Sequence, residues 1–491
     1  MKEYVRLVSE ITGNDPDSTL ARMKMVKKTF GISYKEYYNN GMYNMSEGML
    51  EKEALRLRKR KEKRREAFDA IIKNSSMTKD RIIAEIKRIN EKEIKHINVL
   101  FYERFQMYSM SEEELETTLE LLNKRDELCK EIKDDFKSID AGRMTYSDID
   151  QKIAELKAII KTLMKPDFID KLRNMYAKGR DCTNDIVLDD VFVDMDATRL
   201  LLEFSFKEYL AFHFEDKTFE EKREYMNNKE RMEVLRQYND EAGCDMLDDK
   251  AKCYKVLKKQ FGRKQILISN KNDAFRFKCF CFGRKAFVKK ALARSMGKGI
   301  ELVNLDGKTD IRKIMMSFLD ESGPFVAEEL IRQHDTMKAF NETSVNTVRL
   351  ETFFDGKEVR IMDSFMKTGQ NGSFVDNGGA GGIFAAVDPD SGILLGDGID
   401  EFGKIYITHP QSGTRYKGHK LEDWDKALAL VKSVGSKFAG VSIIGWDLAY
   451  TDKGKWIIVE GNAKPQIIGN QATQTKGLKK EFLKKTKYSE K

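Results

Sequence analysis

Asp447, Glu460 and Asn462 are hard oxygen ligands spaced so that one face of a β-hairpin can hold all three. They lie in two apolar runs, Gly445-Trp446-Asp447-Leu448-Ala449-Tyr450 and Trp456-Ile457-Ile458-Val459-Glu460-Gly461-Asn462, on either side of Thr451-Asp452-Lys453-Gly454. A turn cluster ending in glycine between such runs predicts adjacent antiparallel strands. Pairing Tyr450 with Lys455 sets Asp447 opposite Ile458. Period-2 alternation then gathers Asp447, Glu460 and Asn462 on one face, the diagonal pair roughly 7 to 8 Å apart. Oxygen donors without His or Cys suit Mg²⁺, which completes its shell with substrate phosphate and water. A two-sided hairpin with a solvated polar face is the alternative this pattern alone leaves open.

Upstream stand elements suited to phosphate. Phe287-Val288-Lys289-Lys290 reads as a short strand running into Ala291 to Ile300, where Ser295, Gly297, Lys298 and Gly299 form a small-residue loop able to fold backbone N–H groups over phosphates. The spacing is not that of a Walker A loop. Pro324 to Ile331 reads as an apolar strand turning acidic at Glu328, Glu329 and Leu330, as a hinge against an adenine edge would. Val345 to Phe354, an Asp355-Gly356 turn and Lys357 to Lys367 predict a second hairpin, with Arg349 and Lys367 as phosphate or substrate contacts. Asp376 to Ile383, with Asn377 before a glycine cluster, offers bare backbone to a ligand.

Elements of other kinds must position these groups. The chain of 491 residues, 41% of them hydrophobic, supports two or three domains with real cores. Between Pro16 and Pro166 there is no proline, and between Gly48 and Gly142 no glycine, so this stretch reads as long helices. Ser111 with Glu114 forms a capping-box start for Leu115 to Phe136, and Ser147 opens Ile149 to Met164. Helical hairpins or a coiled coil over residues 1–185, serving as a docking or oligomerisation arm, is the expectation; a homo-oligomer through that arm is compatible with it. From about residue 185 the texture turns to short β-rich runs, marking a catalytic region over 186–491. Ser33-Tyr34-Lys35-Glu36-Tyr37 is echoed by Ser205-Phe206-Lys207-Glu208-Tyr209, either a duplicated docking element or chance.

Composition excludes several classes. Six scattered cysteines lack metal-ligand spacing, and Cys279 and Cys281 read as alternate positions of one strand, so a reduced cytoplasmic protein is expected. The start lacks a signal-peptide apolar region and no apolar run of spanning length occurs. The basic run Arg56 to Arg65 has no interleaved aromatics, which argues against nucleic acid. It reads as a solvated helix face that could contact anionic lipid at the inner face of a membrane.

The order strand lysine, glycine loop, acidic hinge, arginine hairpin, Asn-Gly-Gly loop, then Asp and Glu-x-Asn resembles the ATP-grasp superfamily. Residues 200 to 465 are most similar to the sugar-transfer-associated ATP-grasp family, through Ser344 to Arg349, Val375 to Ile383 and Val459 to Asn462. The arginine hairpin and Asn-Gly-Gly stretch also resemble those of ribosomal-protein glutamate ligases. The resemblance implies an α/β (α+β) ATP-grasp fold and Mg-ATP as cofactor, with two Mg²⁺ ions on Asp447, Glu460 and Asn462. It also implies Lys250 and Lys290 as phosphate lysines and Glu328 to Leu330 as the adenine hinge. The implied activity joins a carboxylate to an amine through an acyl phosphate, on small or glycan-linked substrates in surface polysaccharide assembly. A small-molecule kinase and a silent ATP-binding scaffold are the alternatives. Members akin to D-alanine:D-alanine ligase carry an arginine two residues before the metal aspartate; here that position is Gly445.

Overall fold

In a computed structural model, the described residues are 2–45, 47–92, 94–180, 185–292, 300–306, 309–373, 376 and 381–486. The chain divides into two compact units, one of residues 1–131 with 158–168, the other of 132–157 with 169–491. Among the described residues none of the helices is long and apolar enough to cross a membrane.

The first unit is helical. Its apolar stripes close two clusters, one around Val8, Met23, Val26, Tyr37 and Met42, the other around Ile71, Ile82, Leu119 and Leu122. The capping box at Ser111 forms as its spacing predicts: Ser111 N–H donates to Glu114 at 2.7 Å and Glu114 N–H to Ser111 Oγ at 3.2 Å, opening the helix Glu112–Asp140. Ser147 does not open the next helix. Thr145 and Asp148 form the box instead, around a 3-10 turn that leads into the helix Asp150–Leu163.

The Ser33 echo is a shared local structure, and a third copy joins it. Each copy is a six-residue helix capped by Ser33, Asn98 or Ser205 (Tyr34–Asn39, Val99–Arg104, Phe206–Ala211). Each then has one left-handed residue (Gly41, Gln106, His213) and a three-residue 3-10 turn (Met42–Asn44, Met107–Ser109, Phe214–Asp216). A tyrosine at the same place in each helix (Tyr37, Tyr102, Tyr209) is buried. The second copy escaped the sequence reading because Asn98-Val99-Leu100-Phe101-Tyr102 keeps only the cap and the tyrosine.

The second unit stays helical to Phe261, later than the change of texture near residue 185 suggested. Its strands are β1 Gln265–Ile268, β2 Ala286–Ala291, β3 Ile300–Asn304, β4 Phe325–Glu328, β5 Thr347–Phe354, β6 Val359–Thr368, β7 Ile383–Ala386, β8 Gly398–Ile399, β9 Ile405–Tyr406, β10 Ile443–Tyr450 and β11 Trp456–Asn462. A four-stranded sheet runs β1-β4-β2-β3 and a seven-stranded sheet β11-β10-β5-β6-β7-β8-β9, with the described pairings antiparallel. Cys279 and Cys281 lie on the helix Ala274–Cys281 rather than on a strand, Cys279 exposed and Cys281 buried. That helix and Ile311–Ser322 cover one face of the small sheet through Phe277, Phe280, Phe287, Met315 and Phe325.

Alternation gives the large sheet two unlike faces. Val348, Leu350, Met366, Ile444, Trp446, Leu448 and Ile458 pack beneath the helix Trp424–Val434. Arg349, Glu351, Asp363, Lys367, Asp447, Glu460 and Asn462 share the other face, as their register requires. Buried Asn239 pins the ends of the strands that carry Asp447 and Glu460. Its Nδ2 donates to Ile443 O and Ala463 O, each at 2.7 Å, and its Oδ1 accepts from Ser442 N and Ile443 N, each at 2.9 Å. Asn239→Ala orphans several buried backbone groups, so urea unfolding of that variant is expected to lose roughly 3 to 5 kcal/mol of stability.

Candidate functional site

The hairpin of β10 and β11 forms with a different register from the one its turn suggested. Tyr450 pairs with Trp456 rather than Lys455, and Leu448 rather than Asp447 stands opposite Ile458. A bulge then leaves Val459 over, so that Asp447 faces Glu460 and Gly445 faces Asn462. The bulge restores the predicted face and replaces the diagonal by a direct cross-strand pair, whose Cβ atoms sit about 4.5 to 5.5 Å apart.

Asp447 is 2% exposed and held by two cations from neighbouring strands. Arg349, its register partner on β5, forks onto both oxygens, Nε to Oδ1 at 2.7 Å and Nη2 to Oδ2 at 2.9 Å. Lys367 Nζ, from β6, lies 3.0 Å from Oδ2. Burial would raise the Asp447 pKa, but Arg349 and Lys367 overcome it and hold the carboxyl far below the usual range. The position of Gly445 beside this fork is crowded, a Cβ there lying 2.7 Å from Pro465 Cβ. A Cβ on Gly445 would lie 3.1 Å from Arg349 Cδ and 3.2 Å from Arg349 Nη1, so Arg349 fills from β5 the space beside the aspartate.

Glu460 has no such partner: its side chain accepts no hydrogen bond from any described residue. Burial and the facing Asp447 raise its pKa, against Lys290, Lys367 and Arg349. Two carboxylates facing each other, one without a donor, form a donor set that fits a hard divalent cation. Asn462 Nδ2 donates to Gly445 O at 3.3 Å, which leaves its carbonyl oxygen free of that bond.

The small sheet brings its own cations. Lys290 and Glu328 share the face turned away from the covering helices, and Lys290 Nζ lies 2.9 Å from Glu328 Oε2. Lys289 is on the covered face, against Phe318 and Glu301, so alternation selects Lys290 of the two adjacent lysines. Lys250 opens the helix Lys250–Phe261 and reaches Ala291 O at 3.5 Å; burial lowers its pKa while Glu460 raises it. At the acidic hinge, Glu329 N–H donates to Lys264 O at 3.0 Å, the Glu329 side chain pairs with Arg284, and Leu330 is exposed. Ser295, Gly297, Lys298, Gly299 and Asn377 lie outside the described residues.

Two features had no signal in the sequence. Arg263, in the loop before β1, binds Glu328 Oε2 at 3.1 Å and donates to Ile458 O at 2.8 Å and Val459 O at 3.0 Å, tying the small sheet to the bulge. Glu351 and Asp363 are a register pair of carboxyls under the helix Ile468–Gln474. Asn470 Nδ2 donates to Asp363 at 2.8 Å and Glu351 at 3.5 Å, and Gln474 Nε2 to Asp363 at 3.0 and 3.1 Å. Burial and Asp363, against Arg349 and Arg231, push Glu351 up to about 7.

A family description of sugar-transfer associated ATP-grasp proteins matches residues 229–488. No protein with a curated description matches the chain. Among solved structures, D-alanyl-alanine synthetase A from Vibrio cholerae is 10% identical with a TM-score of 0.31, the match covering 47% of this chain and 60% of that one. D-alanine–D-alanine ligase from Bacillus anthracis complexed with ATP is 12% identical, TM-score 0.30, covering 46% and 58%. N5-carboxyaminoimidazole synthase from Aspergillus clavatus is 12% identical, TM-score 0.30, covering 49% and 51%. The chain thus spans less than two thirds of the length of these solved chains.

The Glu351 pair gives a signed expectation. A folded pKa of about 7, against an ordinary 4.5, keeps a proton that the unfolded chain has lost. Stability therefore falls as pH rises from the lower value to the upper, by at most about 1.4 kcal/mol per unit. Urea unfolding of Glu351→Gln at pH 5 and pH 8 is expected to find that fall reduced by the share of Glu351, while the shares of Asp363, Asp376 and Glu460, whose pKa values burial also raises, remain.

Proposed function

The chain belongs to the sugar-transfer associated ATP-grasp family, and from that premise we propose that it is an ATP-dependent ligase that activates a carboxylate as an acyl phosphate for attack by an amine. The observation that carries this reading is the direct Asp447–Glu460 pair, ringed by Arg349, Lys367, Lys290 and Lys250.

The chemistry asks mainly for charge control. A substrate carboxylate oxygen attacks the γ-phosphorus, the bond to the β–γ bridging oxygen breaks, and ADP leaves with the electron pair. The amine nitrogen then attacks the acyl carbon, phosphate departs, and the amine proton passes to solvent. Asp447, Glu460 and Asn462 would hold Mg²⁺, which when bound screens the phosphate charge against the incoming carboxylate. Arg349 and Lys367 keep Asp447 ionised and oriented, and their remaining N–H groups are donors for oxygens entering the site. Lys290 and Lys250 are assigned to the nucleotide phosphates, Lys290 held by Glu328, which Arg263 also binds.

The family's association with sugar transfer makes sugar-bearing carboxylates and amino acids the first substrates to screen. Arg58, Lys59 and Arg60 are exposed on the helix Glu47–Ser75, so we extend the reading to contact between this face and an anionic lipid surface.

Saturating Mg-ATP at about 100 times Kd is expected to stabilise the protein by roughly 2.7 kcal/mol. The triple variant Asp447→Asn, Glu460→Gln, Asn462→Ala should lose that shift in a thermal melt; an undiminished shift removes the assignment. A ligase releases phosphate only when carboxylate and amine are both present. A stable phosphorylated product without amine dependence would identify a kinase instead.

A further inference from the structure

The thrice-built helix, left-handed residue and 3-10 turn provides an internal control for what its third copy carries. In the second and third copies the four residues from the left-handed position onward repeat one burial order: half-buried, buried, half-buried, exposed. These residues are Gly41, Met42, Tyr43 and Asn44 in the first copy, Gln106, Met107, Tyr108 and Ser109 in the second, and His213, Phe214, Glu215 and Asp216 in the third. The buried apolar residue is kept throughout. The three positions around it change together, in the third copy alone, to side chains that ligate metals. The backbone does not call for that change, since φ of 51° at His213 is a conformation that glycine adopts without cost and other residues adopt with strain.

One ligand atom from each of His213, Glu215 and Asp216 can be chosen so that all lie within 4.8 Å of one another. His213 Nε2 and Glu215 Oε2 are buried with no hydrogen-bond partner, a state that polar atoms inside proteins rarely keep. Asp216 is exposed and its carboxylate accepts no hydrogen bond from a described residue. Arg180 is already engaged nearby. Its Nε binds the other oxygen of Glu215 at 2.6 Å, and its Nη atoms donate to Phe402 O at 2.9 Å and Leu210 O at 2.8 Å. Two carboxylates and one guanidinium leave a formal charge of minus one around a free ring nitrogen and a free carboxylate oxygen.

We propose that His213, Glu215 and Asp216 bind one divalent cation of the zinc class, with water in the remaining position. One nitrogen and two carboxylate oxygens make a three-ligand open site of the kind imidazole and carboxylate give such ions. A cation bound through Nε2 and Oε2 would satisfy both orphaned atoms and clamp the turn Phe214–Asp216 beside Arg180 and the Phe402–Gly403 backbone. The site shares no residue with the nucleotide site, so it stands or falls independently of the ligase reading.

The test uses the full chain, stripped with a chelator, equilibrated with Zn²⁺ alone, desalted and analysed for bound metal by mass spectrometry. His213→Gln and His213→Gly install the residues that the second and first copies carry on the same backbone, so both variants are expected to keep the fold and the Mg-ATP thermal shift. The expected result is at least one equivalent of Zn²⁺ in the unaltered protein and one equivalent fewer in both variants. No uptake by the unaltered protein, or equal uptake in variants that retain the fold, overturns the proposal.

Discussion

The structure depends on how much negative charge one sheet face can hold. Asp447 and Glu460 stand opposite each other at the end of the seven-stranded sheet, and a buried carboxylate without a counter-charge is among the most expensive groups a fold can contain. Arg349 and Lys367 neutralise Asp447 from the next two strands. Glu460 is left to longer-range attraction from Lys290, Lys367 and Arg349. The pair is therefore balanced for Asp447 and incomplete for Glu460, an arrangement that a divalent cation would complete.

Register makes this imbalance possible. Without the bulge at Val459, Asp447 would face an aliphatic side chain and Glu460 would point into the apolar core. The bulge is in turn gripped by Arg263, whose guanidinium donates to the carbonyls of Ile458 and Val459 while pairing with Glu328 of the small sheet. One buried arginine thus couples the strand carrying Glu460 to the strand beside Lys290. Asn239 fixes where β10 starts and β11 ends, so the acidic pair lies between the bulge held by Arg263 and the open end of the hairpin held by Asn239.

Much of this was legible in the sequence, for reasons specific to each residue. Asp447, Glu460 and Asn462 break otherwise apolar runs at positions of one parity, and parity survives errors of register when a bulge corrects them. Arg349 and Lys367 sit on a hairpin legible from its Asp355-Gly356 turn, but the register shift between Glu351 and Thr352 that brings both to one face had no signal in the sequence. The choice of Lys290 over Lys289 needed the small sheet's covered face to be known, because two adjacent lysines have opposite parity and identical chemistry. Arg263 was invisible: it lies in a loop outside any periodic pattern, and its partners are backbone carbonyls nearly 200 residues away. The Glu351–Asp363 pair was likewise hidden, since each reads alone as an ordinary polar strand position. Of the three-copy turn, two copies were legible from shared side chains. The remaining one conserves a backbone path rather than residues.

The most direct measurement is an anomalous-scattering crystal structure of the protein with Mn²⁺ in place of Mg²⁺ and a non-hydrolysable ATP analogue. The account predicts a peak within bonding distance of Asp447 and Glu460, next to the terminal phosphates, with Lys290 on those phosphates. Nucleotide bound away from this pair, or an ordered complex whose metal touches neither carboxylate, would contradict it.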